Sequence, residues 1–209
     1  MRTEFCIFSL VLMLGTSACS EHKPRVDRMT AELQAKYKRN PAPKQPYQIT
    51  LTLVDAPGPF AKIEGFVSYE ARGCRYMPDR IAGFFLTPSI NLPMSYSKVD
   101  ETSYVATVHA DAMLDEDYLG EGICHWQLTS LNAQLKATGA EPETNFIASL
   151  MNEDVTGQRA VTNYYWKERY PRSEVTDYPD MGEEDRDAFR PEIRDELFAI
   201  TLLPRATTP

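Results

Sequence analysis

From residue 47 onward the chain alternates. Ile49, Leu51 and Leu53 take turns with Gln48, Thr50 and Thr52. A period of two puts the apolar side chains on one face of a strand and the polar ones on the other. Pro57-Gly58-Pro59 ends the run, since proline brings no backbone donor to a ladder. Similar runs predict strands over Ile63–Tyr69 (with Arg72-Gly73 as its turn), Ile81–Leu86, Tyr96–Val99 and Tyr104–His109. Further strands are predicted over Ile123–Leu135, Phe146–Met151, Ala160–Lys167 and Leu197–Leu203. The run from Ile123 is long enough to need a bend near Ser130, and it sets Cys124, Trp126 and Leu128 on one strand face. About nine short strands with only weak helical patterning predict an all-β fold, an antiparallel β-sandwich of immunoglobulin-like or C2-like kind. A closed barrel is the alternative.

Upstream the period changes. Val26, Met29, Leu33 and Tyr37 recur at spacings of three and four, a thin helical stripe, and Pro41, Pro43 and Pro46 stop it. Residues 20–46 hold seven basic side chains against three acidic ones, whereas residues 47–209 carry a net −12 of the chain's total of −8. This predicts a short amphipathic helix and a stiff spacer. It stands as a solvated tether, as a basic face resting on anionic lipid, or as a stripe docked on the domain.

The extreme N-terminus reads as an address. Arg2 precedes the ten-residue apolar run Phe5–Leu14, small residues fill 15–18, and Cys19 follows. The run is too short for a transmembrane helix of about 20 residues. Thr16-Ser17-Ala18-Cys19 resembles the lipobox of bacterial lipoproteins, although Thr16 stands where the pattern prefers Leu. The resemblance implies a signal peptide over 1–18, a lipid on Cys19 and a lipidated basic tether over 19–46. Ser20, rather than Asp, in second place implies outer-membrane delivery on the periplasmic side. A plain cleaved signal and an uncleaved anchor are the alternatives.

In an oxidising compartment, removal of Cys6 and lipidation of Cys19 leave Cys74 and Cys124 as one disulfide. The loop it closes constrains the unfolded chain by about 4 kcal/mol. Two buried free thiols are the alternative. A structural zinc site is short of ligands, because only His125 adjoins the pair.

Charge and motifs narrow the chemistry. A net charge of −8 argues against nucleic acid as a partner. No G-x-S-x-G, H-E-x-x-H, S-x-x-K or P-loop occurs. His22, His109 and His125 have no identifiable nucleophile beside them. Paired-carboxylate hydrolysis depends on three-dimensional spacing, which the sequence leaves open. The expectation is a protein that is not an enzyme and needs no metal and no cofactor.

Two acidic stretches stand out. One is Asp111 with Asp115, Glu116, Asp117 and Glu121; the other is residues 173–196, ten carboxylates against three arginines. The second has no strand pattern and suits a long loop with a helical turn near Asp185–Phe189. It reads as a solvated loop, as a calcium site around Gly182 that does not fit the EF-hand spacing, or as a docking surface for a basic partner. Tyr170, Tyr178, Met181 and Phe189 supply aromatic and apolar anchors of the kind interfaces use. The candidate contacts are Asp177, Tyr178, Asp180, Glu183, Glu184, Asp185 and Phe189.

The lipobox, the basic tether and the segment Asp115-Glu116-Asp117-Tyr118-Leu119-Gly120 to Gly122-Ile123-Cys124-His125-Trp126 together look like a group of proteobacterial β-rich lipoproteins. These are encoded beside secreted antibacterial lipase effectors. The motif covers about a dozen residues, and the remaining likeness is architectural. The resemblance implies a periplasmic immunity protein. Its partner would be a secreted phospholipase or lipase delivered by a type VI or similar machine, which it would occlude. A structural envelope lipoprotein of a secretion complex, a periplasmic enzyme and a glycan-binding module are the competing expectations.

Overall fold

The alternation becomes two five-stranded sheets in the computed structural model, which describes residues 22–79, 83–176 and 178–208. Cys19, Asp177 and the signal segment lie outside the described residues. In chain order the elements begin with helix α1 (His22–Gln34), β1 (Pro46–Val54) and β2 (Lys62–Glu70). Next come β3 (Tyr76–Asp79), β4 (Phe84–Leu86), β5 (Ser89–Ser95), β6 (Ser97–Lys98) and β7 (Ser103–His109). The chain continues with β8 (Gln127–Lys136), β9 (Asn145–Met151), helix α2 (Asn152–Gly157) and β10 (Val161–Trp166). It ends with β11 (Pro179–Asp180) and β12 (Leu197–Ala206).

One sheet runs β10-β12-β1-β7-β6 and the other β11-β9-β8-β2-β5, with β3 and β4 paired apart. The pairs are antiparallel except the short β11–β9 pair. Each sheet keeps its own edges, so the fold is a sandwich and not a closed barrel. The inward positions are those the alternation named: Ile49, Leu51, Leu131, Leu135, Leu150, Ile200 and Leu202 are wholly buried. Phe60, Phe146, Tyr165 and Phe198 make edge, tilted and stacked ring contacts across the core, each worth about 0.5–1.5 kcal/mol beyond its area.

Register fixes which ends of the two sheets coincide. Pro46 pairs with His109, and Glu70 pairs with Gln127. The Tyr69 hydroxyl donates to the His109 carbonyl at 2.6 Å, so these ends lie together. The opposite ends also meet, where the Tyr165 hydroxyl donates to the Ile147 carbonyl at 2.8 Å. We refer to the His109 end and the Asn145 end.

Several boundaries differ from the sequence reading. The strand predicted from Ile123 begins at Gln127, so Cys124 and Trp126 are buried in the loop that enters it rather than on a strand face. The bend near Ser130 is a bulge at Thr129, where pairing shifts from Ser68–Ser130 to Tyr69–Leu128. Of the predicted Ile81–Leu86 strand, Phe84–Leu86 is a strand, paired with β3 outside both sheets, and residues 80–82 are not described. The Tyr96–Val99 strand shrinks to Ser97–Lys98. β5 was not expected, because Pro93 falls inside the alternation of Ile90, Leu92 and Met94 and a proline argues against a ladder. It forms an edge strand, where a missing donor on the outer side is tolerated.

Candidate functional site

Two irregular segments cover the sandwich. The first is the N-terminal one, and it is docked rather than free. Residues 38–45 run antiparallel to 110–114: Asn40 N–H donates to the Ala112 carbonyl, Leu114 N–H to Lys38 and Ala110 N–H to Gln45, all at 2.9 Å. Of the three readings of the stripe, packing on the domain is the one the geometry shows for Leu33 and Tyr37, and the spacer expected over 41–46 is a bonded edge. Tyr37 stands edge-on to Trp126 at 4.8 Å and to Tyr118 at 5.3 Å between ring centres. Burial drives the Tyr37 hydroxyl well above the usual tyrosine range, with Tyr76 and Tyr118 adding to it.

The first acidic stretch is the scaffold of this docking. Both Asp111 oxygens accept backbone N–H groups, from Lys44 at 2.8 Å and Gln45 at 3.0 Å. Asp115 accepts the Trp126 N–H at 2.8 Å and meets the His125 Nδ1 at 2.7 Å. Glu116 pairs with the Lys38 ammonium at 2.7 Å. Asp117 turns its own loop, accepting from Leu119, Gly120 and Glu121. Partial desolvation raises its carboxyl, but these amides and that of Gly122 outweigh it and hold the group below the ordinary range. Cys74 and Cys124 are joined, with Cα atoms 5.6 Å apart and a sequence separation of 50. The Asp115-to-Trp126 motif therefore closes the disulfide loop and seats the N-terminal segment. A cleft of about 600 Å³ beside Trp126 is lined by Asn40, Asp111, Asp115 and Gln127, but both of its aspartates are already bonded. Asp115 and His125 form a carboxylate–imidazole pair on the surface.

The second segment is residues 173–196. From β11 it follows β9, then exchanges two hydrogen bonds between Glu183 and Tyr164, at 2.8 and 3.0 Å, on the outer edge of β10. It straps the seam between the two sheets and returns to the Asn145 end, where β12 begins. The helical turn expected near Asp185–Phe189 is the 3-10 segment Arg186–Ala188, and a second one, Pro191–Glu196, follows it. Gly182 makes the close approach. Its φ is +64°, and a Cβ there would meet the Tyr165 ring at 2.7 Å and the Tyr164 carbonyl at 2.8 Å.

The predicted contacts divide into three kinds. Asp180 is a correction: it is 3% exposed, pairs with the Arg169 guanidinium at 2.9 Å and accepts the Gly182 N–H. A carboxylate so engaged holds the strap down and offers nothing to a partner. It also contributes, after burial itself, to pushing the Tyr165 hydroxyl well above its usual range. Tyr178 and Phe189 are half-buried on one groove of about 400 Å³, together with Trp166 and Ile193. Arg169 lies over the Tyr178 ring at 5.1 Å, a cation–π contact. Asp185 is exposed but caps Arg186–Ala188 by accepting the Asp187 N–H. Glu183 and Glu184 are exposed with no ion-pair partner among the described residues, as are Glu174, Glu192 and Glu196. Asp187 and Asp195, by contrast, lie 2.9 Å from Arg194 and 3.6 Å from Arg186.

Two further apolar residues lie on this segment: Val175, which the sequence reading passed over, and Met181, which it named as an anchor but not as a contact. Val175 and Met181 are 59% and 54% exposed on the strap, apolar among the free glutamates. Among the described residues no group of three or more carboxylate, imidazole or thiol side chains is arranged to hold a metal ion. Compared with protein-family models, curated proteins and solved structures, the chain matches none.

Proposed function

We propose that this chain is a lipid-anchored periplasmic immunity protein that binds and occludes a secreted antibacterial lipase or phospholipase through the strap over residues 173–196. The observation that carries the reading is the strap's charge state. Five of its glutamates make no ion pair among the described residues, and the same segment carries exposed Val175 and Met181 and the Tyr178–Phe189 groove. Unpaired carboxylates around apolar anchors suit a basic soluble partner, whose encounter they steer. The identity of the partner as a lipase rests on the resemblance of the Cys19 and Asp115-to-Trp126 motifs. The lipid would hold the inhibitor at the membrane where such an enzyme works.

The test is to produce the tagged chain in the periplasm of its native host and identify what co-purifies, then express the captured protein in a sensitive periplasm with and without this chain. One soluble, stoichiometric lipolytic partner whose toxicity the chain abolishes is the expected result. Capture of integral envelope subunits would favour the structural lipoprotein, and survival unaffected by the chain would overturn the immunity reading.

A further inference from the structure

The His109 end carries an apolar patch that the core does not use. Phe85 is 57% exposed, Phe84 40% and Ile123 60%. Phe85 shares a groove of about 580 Å³ with Met77, Leu119 and Arg75. Ile123 adjoins Cys124, which the disulfide ties to Cys74, next to Arg75. The patch is thus one neighbourhood around the β3–β4 hairpin and the disulfide loop.

Helix α1 lies along this hairpin. Gln34 donates to the Ser89 carbonyl at 3.2 Å, and Thr30, one turn earlier, meets the Tyr76 hydroxyl at 3.2 Å. Ser89 begins β5 in the sheet, whereas Tyr76 pairs with Leu86 farther out. Passing from Gln34 to Thr30 therefore moves outward along the hairpin. From Thr30 to His22 the helix continues for about 12 Å at 1.5 Å per residue. Phe84 lies two residues beyond Leu86, about 7 Å farther out. The start of α1 and the Phe84–Phe85 edge thus both lie outward of the Tyr76–Leu86 pair at the same end of the sandwich. The chain preceding α1 holds Cys19, three residues before His22, and the apolar run Phe5–Leu14. Among the charges nearby, residues 20–46 are net positive, although Lys38 is paired with Glu116, and Arg75 is exposed on the patch, where Glu121 lines the same groove.

We propose that the Phe84–Phe85 edge, with Met77, Leu119 and Ile123, seats in the headgroup–acyl boundary of the anionic membrane to which the N-terminal segment attaches the chain. The inference rests on the anchor proposed above and adds a second contact that fixes orientation. Two weak membrane signals combine, because exposed aromatic rings favour the interface and basic side chains favour anionic headgroups. With the His109 end against the bilayer, the Asn145 end and its part of the strap face the aqueous side.

The test uses the full chain produced in a bacterial envelope and reconstituted in vesicles of phosphatidylethanolamine and phosphatidylglycerol, with or without lipids brominated high on their acyl chains. Phe85→Trp is compared with the parent chain and with Val99→Trp, an exposed site (62%) by Ser103 at the other end. An element seated about 5–10 Å into the boundary lies within reach of such bromines. The expected result is a blue-shifted added emission for Phe85→Trp, quenched about twofold or more by the brominated lipid, and an unquenched Val99→Trp. Protein that floats with the vesicles while Phe85→Trp stays unquenched overturns the docking and leaves the anchor standing. Protein that fails to float overturns the anchor and the docking with it. A blue shift without quenching assigns the patch to cover by protein and also overturns the proposal.

Discussion

The N-terminal segment and the strap look alike in the sequence and behave differently in the fold. Each is irregular, strongly charged and interrupted by proline. The first is fastened: residues 38–45 bond to 110–114, Tyr37 enters an aromatic cluster and Lys38 pairs with Glu116. The strap is held by few residues, chiefly Asp180, Gly182 and the Glu183–Tyr164 pair, and leaves most of its glutamates to solvent. A run of like charge is compatible with either outcome. The partners of individual carboxylates decide which, and on that measure the first segment holds the domain together and the second presents a surface.

The largest effect is expected where fastening is strongest. Trp126→Ala should destabilise the domain by about 3–5 kcal/mol, measured by denaturant unfolding. Trp126 is 8% exposed and its indole N–H has no partner among the described residues, so the loss is packing against Tyr37 and Tyr118. Cleavage by a lysine-directed protease at Lys36 and Lys38 should accelerate in the same variant. Replacing Cys74 and Cys124 together with serine should cost about 2–4 kcal/mol, again loosening the His109 end first. Unchanged cleavage kinetics in both would dissolve the contrast between the segments.

Gly182→Ala should act on the other side of the comparison, costing about 1–3 kcal/mol. Hydrogen exchange should quicken at the Tyr164 and Glu183 amides and stay slow at Asn40 and Leu114. A uniform change across all four would mean that the strap is not an independent unit.

High pH bears on both segments. Burial raises the hydroxyls of Tyr37 and Tyr69 near the His109 end and of Tyr165 under the strap. A raised folded-state value means that the neutral phenol is favoured in the fold. The stability is therefore fully present below the unfolded tyrosine value of about 10 and is lost as pH rises above it. Unfolding followed from pH 9 upward should show this loss, and Tyr37→Phe should reduce its slope. A slope identical to that of the parent would remove Tyr37 from the account.

The fold was legible because alternation survives in strands with one buried face. Ile49, Leu51 and Leu53 read correctly for that reason. β5 was hidden by Pro93, β3 is too short to show a period, and β4 was legible only as part of the apolar run Ile81–Leu86. The disulfide followed from counting thiols in an assumed oxidising setting. The strap was legible as an acidic stretch but not as two functions, since nothing in the sequence marks Asp180 as buried and Glu183 as free. That distinction comes from Arg169, eleven residues away, and from the close approach at Gly182. The docking of residues 38–45 was hidden for a similar reason, because its partners lie about 70 residues away, near residue 111.

The smallest effect on stability should come from Glu183→Lys with Glu184→Lys, within about 0.5 kcal/mol because both side chains are exposed. The same pair gives the most direct test of the central claim, that the strap is the surface a basic partner meets. With the captured partner in hand, the association rate is measured against salt for the parent and the double variant. The account predicts a parent rate that falls about tenfold or more from low to moderate salt, and a variant that associates slowly at every salt. A rate and salt dependence indistinguishable between the two would contradict it and move the interface elsewhere on the sandwich.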